Sequence, residues 1–201
     1  IIVGSRLPRR AVAVIGAGSV GASAILAIIV AVNFLLSAGV AGTQTEVLWS
    51  WLSVGGLSLD IGLHLDALSL VMMFVVTFVG ALIHIYSTGF MCDDPHHDRF
   101  FAYMNLFVGS MLLLVLADNL LLLYLGWEGV GLCSYLLIGF WYRDPSNGRA
   151  AMKAFIVTRV GDAALALGIF TIFTHLGTLN IQEAMGRAGG RWPAASVTHS
   201  S

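Results

Sequence analysis

The chain has 201 residues, of which 58% are hydrophobic and only 10% are charged, and its formal net charge at pH 7 is −1. An average soluble domain carries about 25% charged residues, so this composition is typical of an integral membrane protein. We therefore expect a lipid bilayer as surroundings. Because the net charge is close to zero, no nucleic-acid partner is expected. The two cysteines, Cys92 and Cys133, lie too far apart in the sequence to indicate a disulfide framework, a zinc site or an iron–sulfur motif.

The first apolar segment, about 11–39, contains a motif with two interpretations. Gly16, Gly18 and Gly21 have the G-x-G-x-x-G spacing of a dinucleotide-binding turn. That motif follows a strand, opens a helix and is followed about 20 residues later by an acidic residue for the ribose. Here no acidic residue precedes Glu46, and 11–39 contains no Asp, Glu, Lys or Arg. An uncharged run longer than the roughly 20 residues that cross a bilayer predicts a transmembrane helix instead.

Four further apolar segments predict transmembrane helices, at about 67–91, 100–117, 119–141 and 150–175. A segment inside the hydrocarbon must satisfy its own backbone hydrogen bonds, which favours helices. The predicted fold class is therefore an all-α integral membrane protein, a multi-span bundle of about five complete transmembrane helices. Residues 1–10 are expected to hold the end of a truncated helix and a cytoplasmic loop.

The segment at about 47–66 has the pattern of a β-hairpin. In "LSLDIGLHLD" apolar and polar residues alternate strictly, and Gly55 and Gly56 separate this stretch from "VLWSWLSV". We expect this small hairpin on the extracytoplasmic surface, with Trp49 and Trp51 near the membrane interface.

The basic residues orient the predicted helices. They precede the first span or lie around the loops that follow the second and fourth spans: Arg6, Arg9, Arg10, Arg99, Arg143, Arg149 and Lys153. The opposite side, 40–66 and the turn at Asp118 and Asn119, contains no Lys or Arg. The positive-inside rule therefore places the arginine-bearing loops in the cytoplasm and the tail, 176–201, outside.

The extracytoplasmic tail is expected to contain a short helix. In "TLNIQEAM", Asn180 followed by Glu183 predicts a helix N-cap in which the glutamate carboxylate returns to the backbone of the cap residue.

Two carboxylates lie near the middle of predicted helices. Glu128 is 9 and 13 residues from the ends of its span, and Asp162 is 12 and 13 residues from the ends of its own. A carboxylate at the bilayer centre costs about 2.5–3.5 kcal/mol on insertion scales and usually marks an ion or proton path. Glu128 has no basic residue within one turn of its helix, so it must pair across helices, hold a water molecule or be protonated. We interpret Glu128 as a proton carrier; a purely structural role, holding helices together, is the alternative.

Arg159 and His84 complete the set of candidate site residues. Arg159 lies three residues before Asp162 on the same helix face, which predicts an intramembrane ion pair of either structural or functional importance. His84 is a candidate proton relay because imidazole changes charge near neutral pH, although a lone histidine near an interface is more often structural. His96 and His97, in the loop "CDDPHHDR", are interpreted as part of a solvated turn, and no metal site is predicted.

Three stretches resemble a known family: "FFAYMNLF", "LADNLLLLYLGWEGVGLCSYLLIGFW" and "AAMKAFIVTRVGDAALALGIF". They are similar to the largest antiporter-like membrane subunit of bacterial respiratory complex I, the subunit L (chain 5) family of NADH-quinone oxidoreductase. The resemblance covers roughly residues 1–185 and identifies the chain as an N-terminal fragment, whereas the last 16 residues fit the family poorly. It implies a multi-pass protein of the bacterial inner membrane whose partners are the other membrane-arm subunits of complex I.

The resemblance also implies a role for Glu128. In this family the glutamate of the "GWEG" motif is a key protonatable residue of a proton channel, and its lysine partner lies on a helix beyond this chain. The chain would then hold the acidic half of the proton path of a proton-translocating NADH:quinone oxidoreductase and would not pump alone. No redox centre or cofactor is implied here, because NADH, FMN, the iron–sulfur clusters and quinone would belong to other subunits.

Two other functions remain open. The large subunit of multisubunit sodium/proton antiporters shares the fold and a similar glutamate helix, but it lacks an acid where this sequence has Asp162, which favours complex I. A non-conducting structural membrane module is the second alternative. An intact Glu128 argues against such a module, whereas a Glu128 without any hydrated path would support it.

Overall fold

A computed structural model of the chain describes residues 8–37, 39, 42–54 and 57–191, with the backbone alone described at 52–54, 57–59 and 189–191. The truncated helix expected in 1–10 therefore falls almost entirely outside the described residues, as do the last ten residues of the chain.

Five long helices dominate the described part of the chain: α1 (Arg9–Ser37), α2 (Ala67–Phe90), α3 (His97–Val115), α4 (Leu120–Ile138) and α5 (Pro145–Leu176). Each of them is long and apolar enough to cross a membrane. A short sixth helix, α6 (Ile181–Arg191), follows them. The chain is thus a multi-pass membrane protein, and the predicted bundle of about five transmembrane helices is confirmed.

Three helices begin earlier than the apolar segments that predicted them, and the first of these, α1, begins at Arg9 rather than near 11. α3 begins at His97 rather than near 100, and α5 begins at Pro145 rather than near 150. Hydropathy identifies only the apolar part of a helix, whereas these helices continue into polar residues. At the start of α5 the Asp144 carboxylate accepts a hydrogen bond from the Ser146 backbone N–H at 2.8 Å, and the proline at the first helical position suits a helix start.

The glycine-rich motif lies within α1, which is helical through all three glycines. The strand and turn that a dinucleotide-binding site needs are therefore not formed there. A Cβ atom at Gly16 would lie 2.8 Å from the Phe101 ring, whereas a Cβ atom at Gly18 or Gly21 would meet no atom within 4 Å. Gly16 thus allows α1 to pack closely against α3, as small residues do in membrane bundles.

The predicted hairpin is present as two antiparallel strands, β1 (Gln44–Val54) and β2 (Leu57–Leu65). Their pairing runs from Gln44 opposite Leu65 to Val54 opposite Leu57, and Gly55 and Gly56 lie outside the described residues. Trp49 and Trp51 on β1 are both exposed, as expected for side chains that anchor at a membrane interface.

The hairpin packs on the turn between α3 and α4. The His64 backbone N–H donates to the Leu116 carbonyl at 2.8 Å, and the Asn119 side chain donates to the Asp60 carbonyl at 2.8 Å. A Cβ atom at Gly62 would lie only 2.5 Å from an oxygen of Asp118. A side chain at this position would therefore require the Asp118 carboxylate to move.

The same turn also binds the segment that connects α5 to α6. The Leu120 N–H donates to the Leu179 carbonyl at 2.9 Å, and the Ile181 N–H donates to the Asp118 carbonyl at 3.0 Å. The hairpin, the α3–α4 turn and the α5–α6 connection thus lie together at one end of the bundle. This is the grouping that the distribution of basic residues predicts.

The N-cap predicted for α6 is confirmed. The predicted return contact, from the Glu183 carboxylate to the backbone of Asn180, is wrong. The Asn180 side-chain oxygen accepts from the backbone N–H groups of Gln182 at 3.1 Å and Glu183 at 3.2 Å. The Glu183 carboxylate instead accepts from the Thr178 hydroxyl at 2.8 Å and from Arg187 at 3.2 Å. The Asn180 N–H is already bonded to the Thr178 hydroxyl at 3.2 Å, so the glutamate is not needed there.

The loop between α2 and α3 lies at the opposite end and is more ordered than a solvated turn. Trp141 donates its indole N–H to the Asp94 carboxylate at 2.9 Å, and this hydrogen bond lowers the pKa of Asp94 below its ordinary value. The Arg9 guanidinium donates to the Cys92 carbonyl at 3.2 Å. His97 is buried, so the interpretation as a solvated turn is wrong for this residue.

The orientation of the bundle can be tested with its two cysteines. Cys92 is exposed at the end that the positive-inside rule places in the cytoplasm, whereas Cys133 is fully buried in α4. We predict that a membrane-impermeant maleimide modifies Cys92 in inverted vesicles and not in intact spheroplasts, as measured by mass spectrometry of the labelled peptide. Cys133 in the same sample is the unreactive control. Labelling of Cys92 in spheroplasts would contradict the orientation.

Candidate functional site

Two glycines set α4 close to α3. A Cβ atom at Gly126 would lie 2.6 Å from the backbone nitrogen of Leu114, and one at Gly129 would lie 2.7 Å from the Ser110 hydroxyl. Gly126 and Gly129 are three residues apart and therefore share one face of α4. The residues between them point away from α3, and it is these residues that reach α5.

Glu128 pairs with a cation on the neighbouring helix. Arg159 of α5 forms a salt bridge with the Glu128 carboxylate through its Nη1 atom. The same Nη1 atom lies 3.4 Å from the Asp162 carboxylate. The Arg159–Asp162 pair expected from the three-residue spacing is therefore present. The sequence left the partner of Glu128 open, and the structure brings all three charges together between α4 and α5.

Asp162 has a second donor that the sequence did not indicate. The indole N–H of Trp127 donates to one oxygen of Asp162 at 2.7 Å, while Arg159 approaches the other oxygen. Asp162 is only 4% exposed, so both of its oxygens are occupied away from solvent. Trp127, Asp162, Arg159 and Glu128 form a continuous chain of contacts, which we call the α4–α5 polar cluster.

Arg159 is held on one side by an aromatic ring. Its guanidinium carbon lies 4.3 Å from the centre of the Phe155 ring, a cation–π geometry. A Cβ atom at Gly131 would lie 3.4 Å from the guanidinium, an ordinary van der Waals distance, so α4 passes directly beside it. The Nε atom of Arg159 is buried and has no hydrogen-bond partner among the described residues. Arg159 thus contacts both carboxylates through Nη1, and Nε takes part in neither contact.

The charges of the polar cluster do not balance when both acids are ionised. Two carboxylates then share one guanidinium, which stays protonated at all physiological pH values. A single proton on either carboxylate leaves one ionised acid paired with one cation. The cluster therefore has the composition of a site that can accept and release one proton inside the bundle.

His84 is not connected to the polar cluster by any hydrogen bond or ion pair of the described residues. It is completely buried in α2, and its Nδ1 atom lies 2.7 Å from the Gly80 carbonyl, which makes Nδ1 the donor. Its Nε2 atom faces no partner in the described part of the chain. Apolar side chains of α2 and α3, with Leu137 of α4, lie around it and line an open groove of about 420 Å³. The expected relay role of His84 stays a prediction.

Two stretches of the chain match described protein families. Residues 51–101 match the family "NADH-Ubiquinone oxidoreductase (complex I), chain 5 N-terminus", and residues 117–196 match "NADH:quinone oxidoreductase/Mrp antiporter, TM". Over 173 residues, 85% of its length, the chain is 56% identical to NADH-quinone oxidoreductase subunit L of Escherichia coli (strain K12). The chain belongs to the NADH-quinone oxidoreductase subunit L family.

A second relative in this family is NADH-quinone oxidoreductase subunit L of Pseudomonas aeruginosa, which is 52% identical over 185 residues and 92% of the chain. The chain spans only 28% of the Escherichia coli subunit L and 30% of the Pseudomonas aeruginosa one. The resemblance inferred from the three quoted stretches is confirmed.

Solved structures with the same fold come from two kinds of membrane complex. The chain superposes on the Mrp complex from Dietzia sp. DQ12-45-1b with a TM-score of 0.70 and 26% identity, over 91% of this chain and 19% of that one. It also superposes on an archaeal respiratory membrane complex, the membrane-bound sulfane sulfur reductase, with a TM-score of 0.65. This second superposition has 21% identity and covers 85% of this chain and 26% of that one, so the similarity concerns the fold alone. The antiporter-like helix arrangement is thus common to the subunit L family and to these complexes.

Removal of Arg159 should be more damaging than removal of Arg159 and Asp162 together. Arg159→Gln leaves two carboxylates with no cation, and breaking a buried ion pair from one side costs about 3–5 kcal/mol. We predict that Arg159→Gln lowers the thermal unfolding midpoint of the assembled complex and that Arg159→Gln with Asp162→Asn restores part of the loss. Arg187→Gln, which breaks an exposed pair with Glu183, is the control and should change the midpoint little. A double variant less stable than Arg159→Gln would contradict this account.

Proposed function

We propose that the chain is the N-terminal part of a proton-translocating membrane subunit of NADH:quinone oxidoreductase, and that Glu128 carries a proton within it. The observation that supports this proposal most directly is the α4–α5 polar cluster, in which two intramembrane carboxylates share the guanidinium of Arg159. Charges of this kind are costly in a bilayer and occur where ions or protons pass.

The proposed cycle uses Arg159 as a fixed charge with two partners. While Glu128 is ionised, it attracts the guanidinium across the α4–α5 interface. A proton that reaches Glu128 removes this attraction. The guanidinium then pairs with Asp162 alone, which already lies 3.4 Å away. Because the second partner is in place, a small side-chain movement follows the proton, and release of the proton reverses it.

The rest of the proposed machinery lies outside this chain. The relatives are named as subunits of an NADH-quinone oxidoreductase, so we infer that the chain assembles with the other membrane-arm subunits of that complex in the bacterial inner membrane. NADH, FMN, the iron–sulfur clusters and quinone are proposed to belong to other subunits, and the remaining residues of the proton path to the part of this subunit that follows the chain.

A sodium/proton antiporter subunit is the second candidate function. The superposition on the Mrp complex and the shared family description of residues 117–196 favour it. Identities of 52–56% with subunit L, against 26% with the Mrp complex, support the complex I subunit more strongly. Sodium transport by the complete protein in the absence of NADH oxidation would distinguish the antiporter.

Substitution of Glu128 tests the proposed function. Glutamine has nearly the same shape but cannot accept a proton, so Glu128→Gln should leave the complex assembled and lower NADH-driven proton translocation. Glu128→Asp keeps the acid with a shorter reach and should retain part of the activity. The measurements are the amount of complex on native gels, the NADH oxidation rate and the acidification of inverted vesicles. Full translocation by the glutamine variant would refute an obligatory proton carrier, and loss of assembly would favour the structural alternative.

A further inference from the structure

We propose that Trp127 is a positioning residue of the proton path, whose indole N–H occupies one oxygen of Asp162 and thereby keeps Arg159 shared between Asp162 and Glu128. This inference rests on the proposed function. Trp127 does not titrate, and it directly precedes the proposed proton carrier in α4. Its contact is with Asp162 and not with Glu128.

Two neighbouring residues of α4 bind two different positions of α5. Trp127 reaches Asp162, and Glu128 reaches Arg159, which lies three residues earlier on α5. Since Arg159 and Asp162 also contact each other at 3.4 Å, the two contacts between the helices are joined into one network. A change at Trp127 is therefore transmitted to Glu128 through the two residues on α5.

The oxygen that Trp127 occupies decides how Arg159 can bind Asp162. A carboxylate with two free oxygens pairs with arginine through two parallel hydrogen bonds, the strongest arrangement that this pair can adopt. At Asp162 one oxygen accepts the Trp127 N–H at 2.7 Å, which fixes the orientation of the carboxylate, and in that orientation Arg159 lies 3.4 Å from the other oxygen. The guanidinium consequently keeps its contact with Glu128, and its Nε atom has no partner among the described residues.

An indole is suited to this task because it donates a hydrogen bond and accepts none. It stays neutral when a proton passes, so it holds the same oxygen of Asp162 in every protonation state of the cluster. Trp127 thus fixes the orientation of the Asp162 carboxylate while the proton moves at Glu128.

Without the indole N–H, Arg159 is free to bind both oxygens of Asp162 and to leave Glu128 without a cation. Trp127→Phe keeps an aromatic ring and removes the donor. We expect NADH-driven proton translocation to fall by about tenfold, the order of effect expected when one hydrogen bond to a charged group is lost, with the complex still assembled. Replacement of Trp127 by benzothienylalanine, which has the size of tryptophan and a sulfur in place of the N–H, should give the same result if the phenylalanine variant fails to assemble.

Trp141 provides a matched control. Its indole N–H also donates to a carboxylate, that of Asp94 at 2.9 Å, but at the end of the bundle and outside the polar cluster. Trp141→Phe should leave translocation unchanged. The decisive comparison is a double-mutant cycle with Asp162→Leu, which removes both oxygens. If Trp127 acts through Asp162, adding Trp127→Phe to Asp162→Leu should lower translocation no further than Asp162→Leu alone.

The outcomes separate this inference from the proposed function. Wild-type translocation by Trp127→Phe, or by the benzothienylalanine variant, while Glu128→Gln is impaired would overturn the role of Trp127 and leave the proposed function standing. Losses that multiply in the double variant would show that Trp127 acts through packing rather than through Asp162 and would also overturn it. Wild-type translocation by Glu128→Gln would remove the proposed function and this inference with it.

Discussion

Two carboxylates and one guanidinium lie between α4 and α5, midway along both helices, and this salt-bridge network constrains the packing around it. An unpaired charge at this depth costs several kcal/mol, so the two helices must place Glu128 and Arg159 within contact distance. The glycines on the opposite face of α4 serve the same arrangement, since Gly126 and Gly129 let α4 approach α3 while its charged face remains available to α5. The charged interface and the close-packed interface thus occupy different faces of one helix.

The end of the bundle that carries the hairpin supports this alignment. α5 ends at Gly177, whose φ of +71° is a backbone conformation that glycine adopts readily, and the chain then returns to the start of α4. The hydrogen bond from Leu120 to Leu179 joins the beginning of α4 to the segment after α5. The relative height of α4 and α5, on which the contact of Glu128 with Arg159 depends, is therefore supported by backbone hydrogen bonds and not by side-chain charges alone.

Long apolar segments were sufficient to predict the helices, because the bilayer requires each spanning element to be apolar and long enough to cross it. The alternation of apolar and polar residues was sufficient to predict the hairpin. They were insufficient for the starts of α3 and α5, where polar residues continue the helix. The Arg159–Asp162 pair followed from spacing within one helix. Its contact with Glu128 did not, because the packing of α4 on α5 is not encoded in the spacing of either helix.

Trp127 was missed for a related reason. A tryptophan in an apolar segment is usually interpreted as a large hydrophobic residue that fills space. Its N–H nevertheless needs an acceptor when it lies away from water. An indole next to a carboxylate in the middle of a span is therefore a signal that sequence analysis could use. His84 shows the opposite case, since its position suggested an interface whereas the structure buries it with a carbonyl of its own helix.

The central claim is that Glu128 gains and loses a proton while the enzyme works. Infrared difference spectroscopy of the complete complex, triggered by NADH, measures this directly through the carbonyl band of a protonated carboxylic acid. The account predicts such a band, shifted in heavy water, in the wild-type complex and its loss in Glu128→Gln. An identical band in both complexes would contradict the account, because the changing carboxyl group would then belong to another residue.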